Sequence, residues 1–217
     1  MEDAVKGARR YSSPLRHEQA AATRAQVLAA ARELFTAQGY PATTVGQIAA
    51  QAGVSVDTLY ATVGRKPQLL REVVETAISG TDRTVPAEER GYVIALRAAP
   101  GAVAKIRIYT DAIATISPRT APIFAALRDA SRTDQSCADL DLEISNRRAD
   151  NMLRFAADLR GTGELRPELT DRFIADTIWA TSGWEHYAQL VTGRGWTATQ
   201  FGDYLRESWT RLFLASI

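Results

Sequence analysis

Two histidines and one cysteine, none close to another, set the first limit on the chemistry of this chain. His17 and His186 lie in different parts of the sequence, and no His/Cys spacing suits a metal. No glycine-rich loop follows a strand to cradle phosphate, and no Gly-x-Ser-x-Gly nucleophile turn occurs. Asp139-x-Asp141 is an acidic pair of chance-level spacing. The expectation is therefore no catalytic residue, no metal and no cofactor. The spacing favours recognition instead, over residues 43–70. Thr44 caps a short helix whose Val45, Ile48, Ala49 and Ala52 share one face. Gly53 stops it, because glycine enters the left-handed conformation cheaply. Val54 plugs the corner, and Ser55 caps a second helix carrying Val56, Asp57, Thr58, Leu59 and Tyr60. Helix, glycine turn and helix form a helix-turn-helix, an arrangement whose second helix enters the DNA major groove.

That hairpin needs a platform. Across residues 16–38 Val27, Leu28, Ala31, Leu34 and Phe35 form an apolar stripe, and Gly39, Tyr40 and Pro41 end the helix. A further helix begins near Lys66 and Pro67, proline being favoured in a first turn, and runs to about Gly80. Of the 217 residues, those before 16 are polar, basic and broken by Pro14, so a disordered arm is expected. Such an arm either lies in the minor groove or is a solvated tail. The net charge is only +1. Through Leu70, however, eight basic residues face five acidic ones, a net +3, which leaves −2 for the remainder. The sign suits a DNA-facing end.

The chain resembles the TetR family of bacterial transcription regulators. The resemblance rests on Arg32, Glu33, Leu34 and Phe35, Gly39 and Tyr40, and Thr43, Thr44 and Val45. It continues through Ile48 and Ala49, Ala52 to Ser55, Thr58 to Tyr60, and Lys66 before Leu69 and Leu70. It implies that Thr44, Tyr60 and Lys66 touch DNA phosphates, with Thr43 adding to them, which sets register and affinity without reading sequence. Base edges would meet Ser55, Val56, Thr58 and Ala61. Val56 and Asp57 depart from the lysine and glycine common in the family, and Ala61, Thr62 and Val63 replace a Tyr-His-Phe run. Val56 can pack on a thymine methyl. Asp57 either accepts from a cytosine amino group or favours the positive end of its own helix. The resemblance also implies that the helix over residues 66–80 sets the spacing between the two reading heads of a homodimer.

Beyond Gly80 the pattern is helical throughout, with helices expected at 86–98, 102–116, 119–132, 136–160, 170–192 and 197–215. Breaks are expected at Pro100 and Gly101, at Ser117 and Pro118, at Thr133 and Asp134, at residues 161–163, and at residues 193–195. The fold class is all-α: an arm (1–15), a three-helix helix-turn-helix domain (16–65), a linking helix (66–80) and a helical ligand-binding and dimerisation domain (81–217). Polar residues interrupt the apolar middle helices at Tyr92, Arg107, Tyr109, Asp111, Arg128, Asn146, Arg147, Asp150 and Asn151. Tyr92, Arg107, Phe124, Arg128, Asn151, Phe155 and Trp179 are the candidate lining of a cavity for a small, mostly apolar effector. The last two long helices hold more apolar surface than one partner helix buries. Trp184, Tyr187, Leu190, Val191, Tyr204, Trp209 and Phe213 are therefore candidates for the four-helix dimer interface that the resemblance implies; a thicker protomer core is the alternative.

Cys137 alone excludes an internal disulfide and suits a reducing compartment. No apolar run approaches membrane-spanning length and no signal-peptide core is visible, so a soluble cytoplasmic protein is expected. The expected function is a ligand-responsive regulator, most simply a repressor released from a palindromic double-stranded operator by its effector. The rival is an all-α carrier of small molecules without specific DNA binding.

Overall fold

A computed structural model describes residues 14–81 and 83–215. Residues 1–13, which hold most of the expected arm, lie outside the described residues. The chain forms α1 (Pro14–Gln38), α2 (Val45–Gln51), α3 (Val56–Val63) and α4 (Lys66–Ser79). A 3-10 turn (Ala87–Glu89) precedes α5 (Gly91–Ala98), α6 (Ala102–Ala130) and α7 (Gln135–Arg160). The chain ends with α8 (Asp171–Thr181), α9 (Trp184–Tyr187), a π turn (Ala188–Thr192) and α10 (Ala198–Phe213). Among the described residues there is no strand, only one isolated antiparallel bridge between Leu165 and Leu214.

Local signals decide the first half. Thr44 accepts the Gln47 N–H at 3.2 Å while the Gln47 side chain accepts the Thr44 N–H at 2.7 Å, a complete capping box on α2. Ser55 accepts the Thr58 N–H at 3.0 Å and so starts α3. Between them Gly53 sits at φ +69°, in the left-handed region where a side chain would be strained.

Two expectations for the second half are corrected. No break occurs at Ser117 and Pro118: α6 continues through Pro118 and Pro122 over 29 residues. An interior proline costs about 3 kcal/mol, but α6 buries twelve residues along its length and is the spine against which α4, α5, α7 and α10 pack. Tertiary burial outweighs the local penalty. Conversely, the helix expected over 170–192 is interrupted. The Thr181 and Ser182 hydroxyls turn back to the carbonyls of Thr177 (2.7 Å) and Ile178 (2.6 Å), and Gly183 then adopts extended backbone. Hydroxyls that compete with the backbone ladder favour such a stop.

The buried residues form two cores. One joins Phe35, Ile48, Leu59, Leu69, Leu70 and Val73 of the first four helices to Ile123 and Leu127 of α6 and Leu140 and Ile144 of α7. The other joins the first half of α6 and the end of α7 to α5, α8, α9 and α10, with Phe201, Trp209 and Phe213 fully enclosed. The helix-turn-helix therefore shares its core with the C-terminal body, and α4 runs through that shared core.

Helices α6 and α10 approach most closely at Gly202, where an added Cβ would lie 3.0 Å from the Ala114 Cβ and 3.1 Å from the Thr110 carbonyl oxygen. Backbone cannot yield as a flexible side chain would. Gly202→Val is expected to destabilise the fold by about 1–3 kcal/mol through overpacking, measured as a lowered urea midpoint. An unchanged midpoint would mean that the two helices are looser than drawn.

Candidate nucleic-acid interface and ligand cavity

Helix α3 buries Leu59 completely and turns its other face outward. Val56 and Tyr60 are 39% and 46% exposed, and Ser55, Thr58 and Ala61 are exposed beside them. The Ser55 and Thr58 hydroxyls lie 2.8 Å apart, and Thr62 donates back to the Thr58 carbonyl at 2.6 Å. Thr44 is also exposed, at the start of α2, whereas Thr43 is not. Thr43 is only 1% exposed: its hydroxyl donates to the Gly39 carbonyl at 2.8 Å and accepts from Gln38 at 3.2 Å. It ties down the α1–α2 turn and has no free face for a phosphate. Arg65, exposed at the start of α4, is a cation that the sequence reading did not single out.

Lys66 is half-buried, its ammonium 4.1 Å above the Tyr40 ring, and burial lowers its pKa from the ordinary lysine value. Tyr40 in turn donates to the Asp134 carboxylate at 3.3 Å, and Cys137 lies under the same contact. These residues join the helix-turn-helix turn, the start of α4 and the start of α7. Burial pushes the Cys137 thiol up to about 11. In the native protein at pH 8 it is therefore a protonated thiol without access to solvent. Labelling by iodoacetamide is expected to be slow until denaturant opens the structure, as followed by mass spectrometry. Rapid labelling of the native chain would contradict this closed contact.

Helix α4 is fastened along its length. Arg71 makes a two-pronged pair with Glu143 of α7 at 2.8 and 2.7 Å, which lowers the Glu143 pKa. Glu75, 5% exposed, accepts from Arg147 of α7 at 2.6 Å. Arg119 of α6 donates to the Ala77 and Ile78 carbonyls at 2.7 and 3.3 Å, a cation at the negative end of α4.

Helices α4–α9 and the segment before α5 line a partly open cavity of about 460 Å³. Of the candidate ligand residues, Tyr92, Phe124, Arg128, Asn151, Phe155 and Trp179 line it. Arg107 does not; it is exposed and pairs loosely with Asp111, one turn along α6, at 3.6 Å. On α6 it lies about a third of a turn from the middle of the lining face. Many lining groups were not singled out from the sequence, among them Glu75 and Ile78 of α4 and Arg148 of α7. Apolar spacing on α4 marks its core face but cannot say that part of that face opens on a void. Tyr109 is buried at the cavity wall, its hydroxyl donating to the Met152 sulfur at 3.3 Å and its ring 4.8 Å from that of Phe155; burial raises its pKa.

The candidate dimer residues divide. Tyr187, Trp209 and Phe213 are buried in the chain's own core, so they are not surface groups. Trp184 is half-buried at the cavity, and Leu190 and Val191 pack partly on the core. Tyr204 remains 36% exposed, and Phe173, Trp179 and Leu212 are also exposed apolar groups on α8 and α10.

Residues 27–73, the platform helix through the first half of α4, match the family described as "Bacterial regulatory proteins, tetR family". This is a tetR-family DNA-binding domain. The fold as a whole agrees. The chain superposes on native NalD of Pseudomonas aeruginosa, the secondary repressor of the MexAB-OprM multidrug efflux pump, with a TM-score of 0.70 at 19% identity, covering 91% of this chain and 100% of that one. FadR of Bacillus subtilis in complex with stearoyl-CoA gives 0.68 at 18% identity, covering 85% and 96%. A Saccharomonospora viridis protein in complex with choline gives 0.69 at 16%, covering 89% and 98%. At such identities the likeness is one of fold. No curated protein matches the sequence. The tetR-family domain and the cavity-bearing helical body thus meet on α4, and no described helix is long and apolar enough to cross a membrane.

Proposed function

We propose that the chain is a ligand-responsive transcription regulator that binds a palindromic operator as a homodimer and releases it when a small, mostly apolar effector fills the cavity. One observation carries this reading. Glu75 and Ile78 line the cavity, while Leu69, Leu70 and Val73 of the same helix sit in the core of the helix-turn-helix domain. A ligand touching the far end of α4 therefore pushes on a rigid element whose near end positions α3. Tilting α4 moves two recognition helices out of register with successive major grooves, which lie about 34 Å apart. A coupling of roughly 1–3 kcal/mol between effector and DNA gives about 5- to 150-fold release. Exposed Tyr204, Phe173 and Leu212 on α8 and α10 support pairing of two copies through those helices.

The test is binding of the purified protein to the DNA flanking its own gene at two salt concentrations. Protection of a palindrome that weakens steeply with salt supports the regulator and the dimer together. Weak, sequence-blind binding at both concentrations rejects specific regulation.

A further inference from the structure

The cavity wall contains a cation that the protein itself does not neutralise. Arg148 is half-buried at the cavity wall, where desolvation depresses its pKa from the ordinary arginine value. Nonetheless it makes no ion pair among the described residues, whereas its cavity neighbours Arg128 and Arg147 do. Its Nη2 donates to the Trp179 carbonyl at 2.6 Å and the Ser182 hydroxyl at 2.9 Å, and the guanidinium lies 5.5 Å from the Trp179 ring centroid. Nε and Nη1 have no acceptor among the described residues. No fully buried side-chain nitrogen or oxygen among them lacks a partner, so these two atoms retain accessible surface, on a residue that lines the cavity. The acid that most affects Arg148 is Glu185, which is already held by Arg128 at 3.3 Å. The Tyr109 hydroxyl, close enough to sense both Arg148 and Ser182, donates only to a thioether, a weak acceptor that a carboxylate would displace.

A partly desolvated charge without an ionic partner favours an anion beside it, and a guanidinium offering two adjacent N–H groups matches a carboxylate in two-pronged geometry. The wall also carries the acids Glu75, Glu88, Asp141, Asp158 and Glu185 and other arginines; its apolar part is rich in aromatic rings, with Tyr92, Phe124, Phe155 and Trp179. We infer that the effector is an anionic amphiphile, a carboxylate on an apolar chain or ring, with its carboxylate held by Arg148 and Tyr109 and its body along the aromatic wall. A cationic ligand would meet the unneutralised guanidinium and be repelled. The inference rests on the cavity being the effector site of the proposed regulator.

Three probes of equal chain length separate the possibilities: decanoate, 1-decanol and decyltrimethylammonium, each below its micelle concentration, titrated into the full chain by calorimetry at pH 7.5. Decanoate is expected to bind roughly tenfold or more tighter than decanol, as a charge-assisted hydrogen bond warrants, and the ammonium not to bind. Arg148→Met is expected to bring decanoate down to the level of decanol with decanol affinity unchanged, which also reports an intact cavity. Arg148→Lys keeps part of the advantage. Equal binding of decanoate and decanol, preference for the ammonium, binding of none of the three, or a decanoate advantage that survives Arg148→Met overturns the inference. Arg148-dependent binding of decanoate that leaves DNA affinity unchanged upholds the carboxylate site and refutes the cavity's role as effector site.

Discussion

Replacing Tyr60 by alanine together with Lys66 by methionine is expected to weaken binding to the DNA flanking the gene by about a hundredfold or more, with little change in thermal stability. Tyr60 is nearly half exposed on α3, so its loss removes little packing. Methionine keeps most of the Lys66 stem and removes the charge together with the contact of the ammonium with the Tyr40 ring. Each hydrogen bond to a phosphate is worth roughly 1.5–3 kcal/mol, and two together exceed 3 kcal/mol. The salt dependence carries the more diagnostic sign. Removing one cation should make the slope of log K against log salt shallower by about 0.9. Electrophoretic mobility shifts or fluorescence anisotropy at several salt concentrations would measure both quantities. If the double variant keeps full affinity and an unchanged slope, α3 and the start of α4 are not the DNA surface, and a carrier function becomes the better reading of the fold.

Trp209→Ala is expected to cost about 3–5 kcal/mol of folding stability, lowering the melting temperature by roughly 6–20 °C for a chain of this size. The indole is 1% exposed, stacks with Phe213 at 6.4 Å, lies 6.0 Å from Tyr109, and donates through Nε1 to the Thr181 hydroxyl at 2.9 Å. Its removal opens a cavity and takes one donor from the Thr181 hydroxyl, which keeps its bond to the Thr177 carbonyl. The experiment also separates two roles for the residue. If Trp209 stabilises the protomer, the loss is the same at low and high protein concentration. A residue buried between two copies would instead lose stability through dissociation, and dilution would deepen the effect. Calorimetry across a twentyfold concentration range distinguishes them, and the geometry predicts the first outcome. Trp209→Phe should recover much of the loss, because most of the indole's contribution is apolar burial.

Residues 14–80 were readable because their structure is written in local chemistry. Thr44 and Ser55 must satisfy orphan N–H groups at helix starts, Gly53 must accept a left-handed turn, and Leu59 must face inward while its neighbours do not. Each requirement acts over about one helical turn, and the all-α class, the hairpin and the outward face of α3 followed from them. What acts over longer range was decided by packing. Pro118 and Pro122 stay inside α6 because contacts from four other helices outweigh what two prolines cost. Thr43 looked like a phosphate ligand but turns inward, since its hydroxyl finds the Gly39 carbonyl. Trp209 and Phe213 looked like interface residues, because apolarity alone does not say whether the partner surface belongs to the same chain. The aromatic lining of the cavity was legible as composition. That Glu75 reaches the cavity from the linking helix, and that Arg148 stands there without a counter-charge, depends on where α4 and α7 cross α6. Amino-acid order thus determined the elements and the face that α3 presents. Only the tertiary structure decided which charges are paired, because pairing is a property of distances between helices remote in sequence.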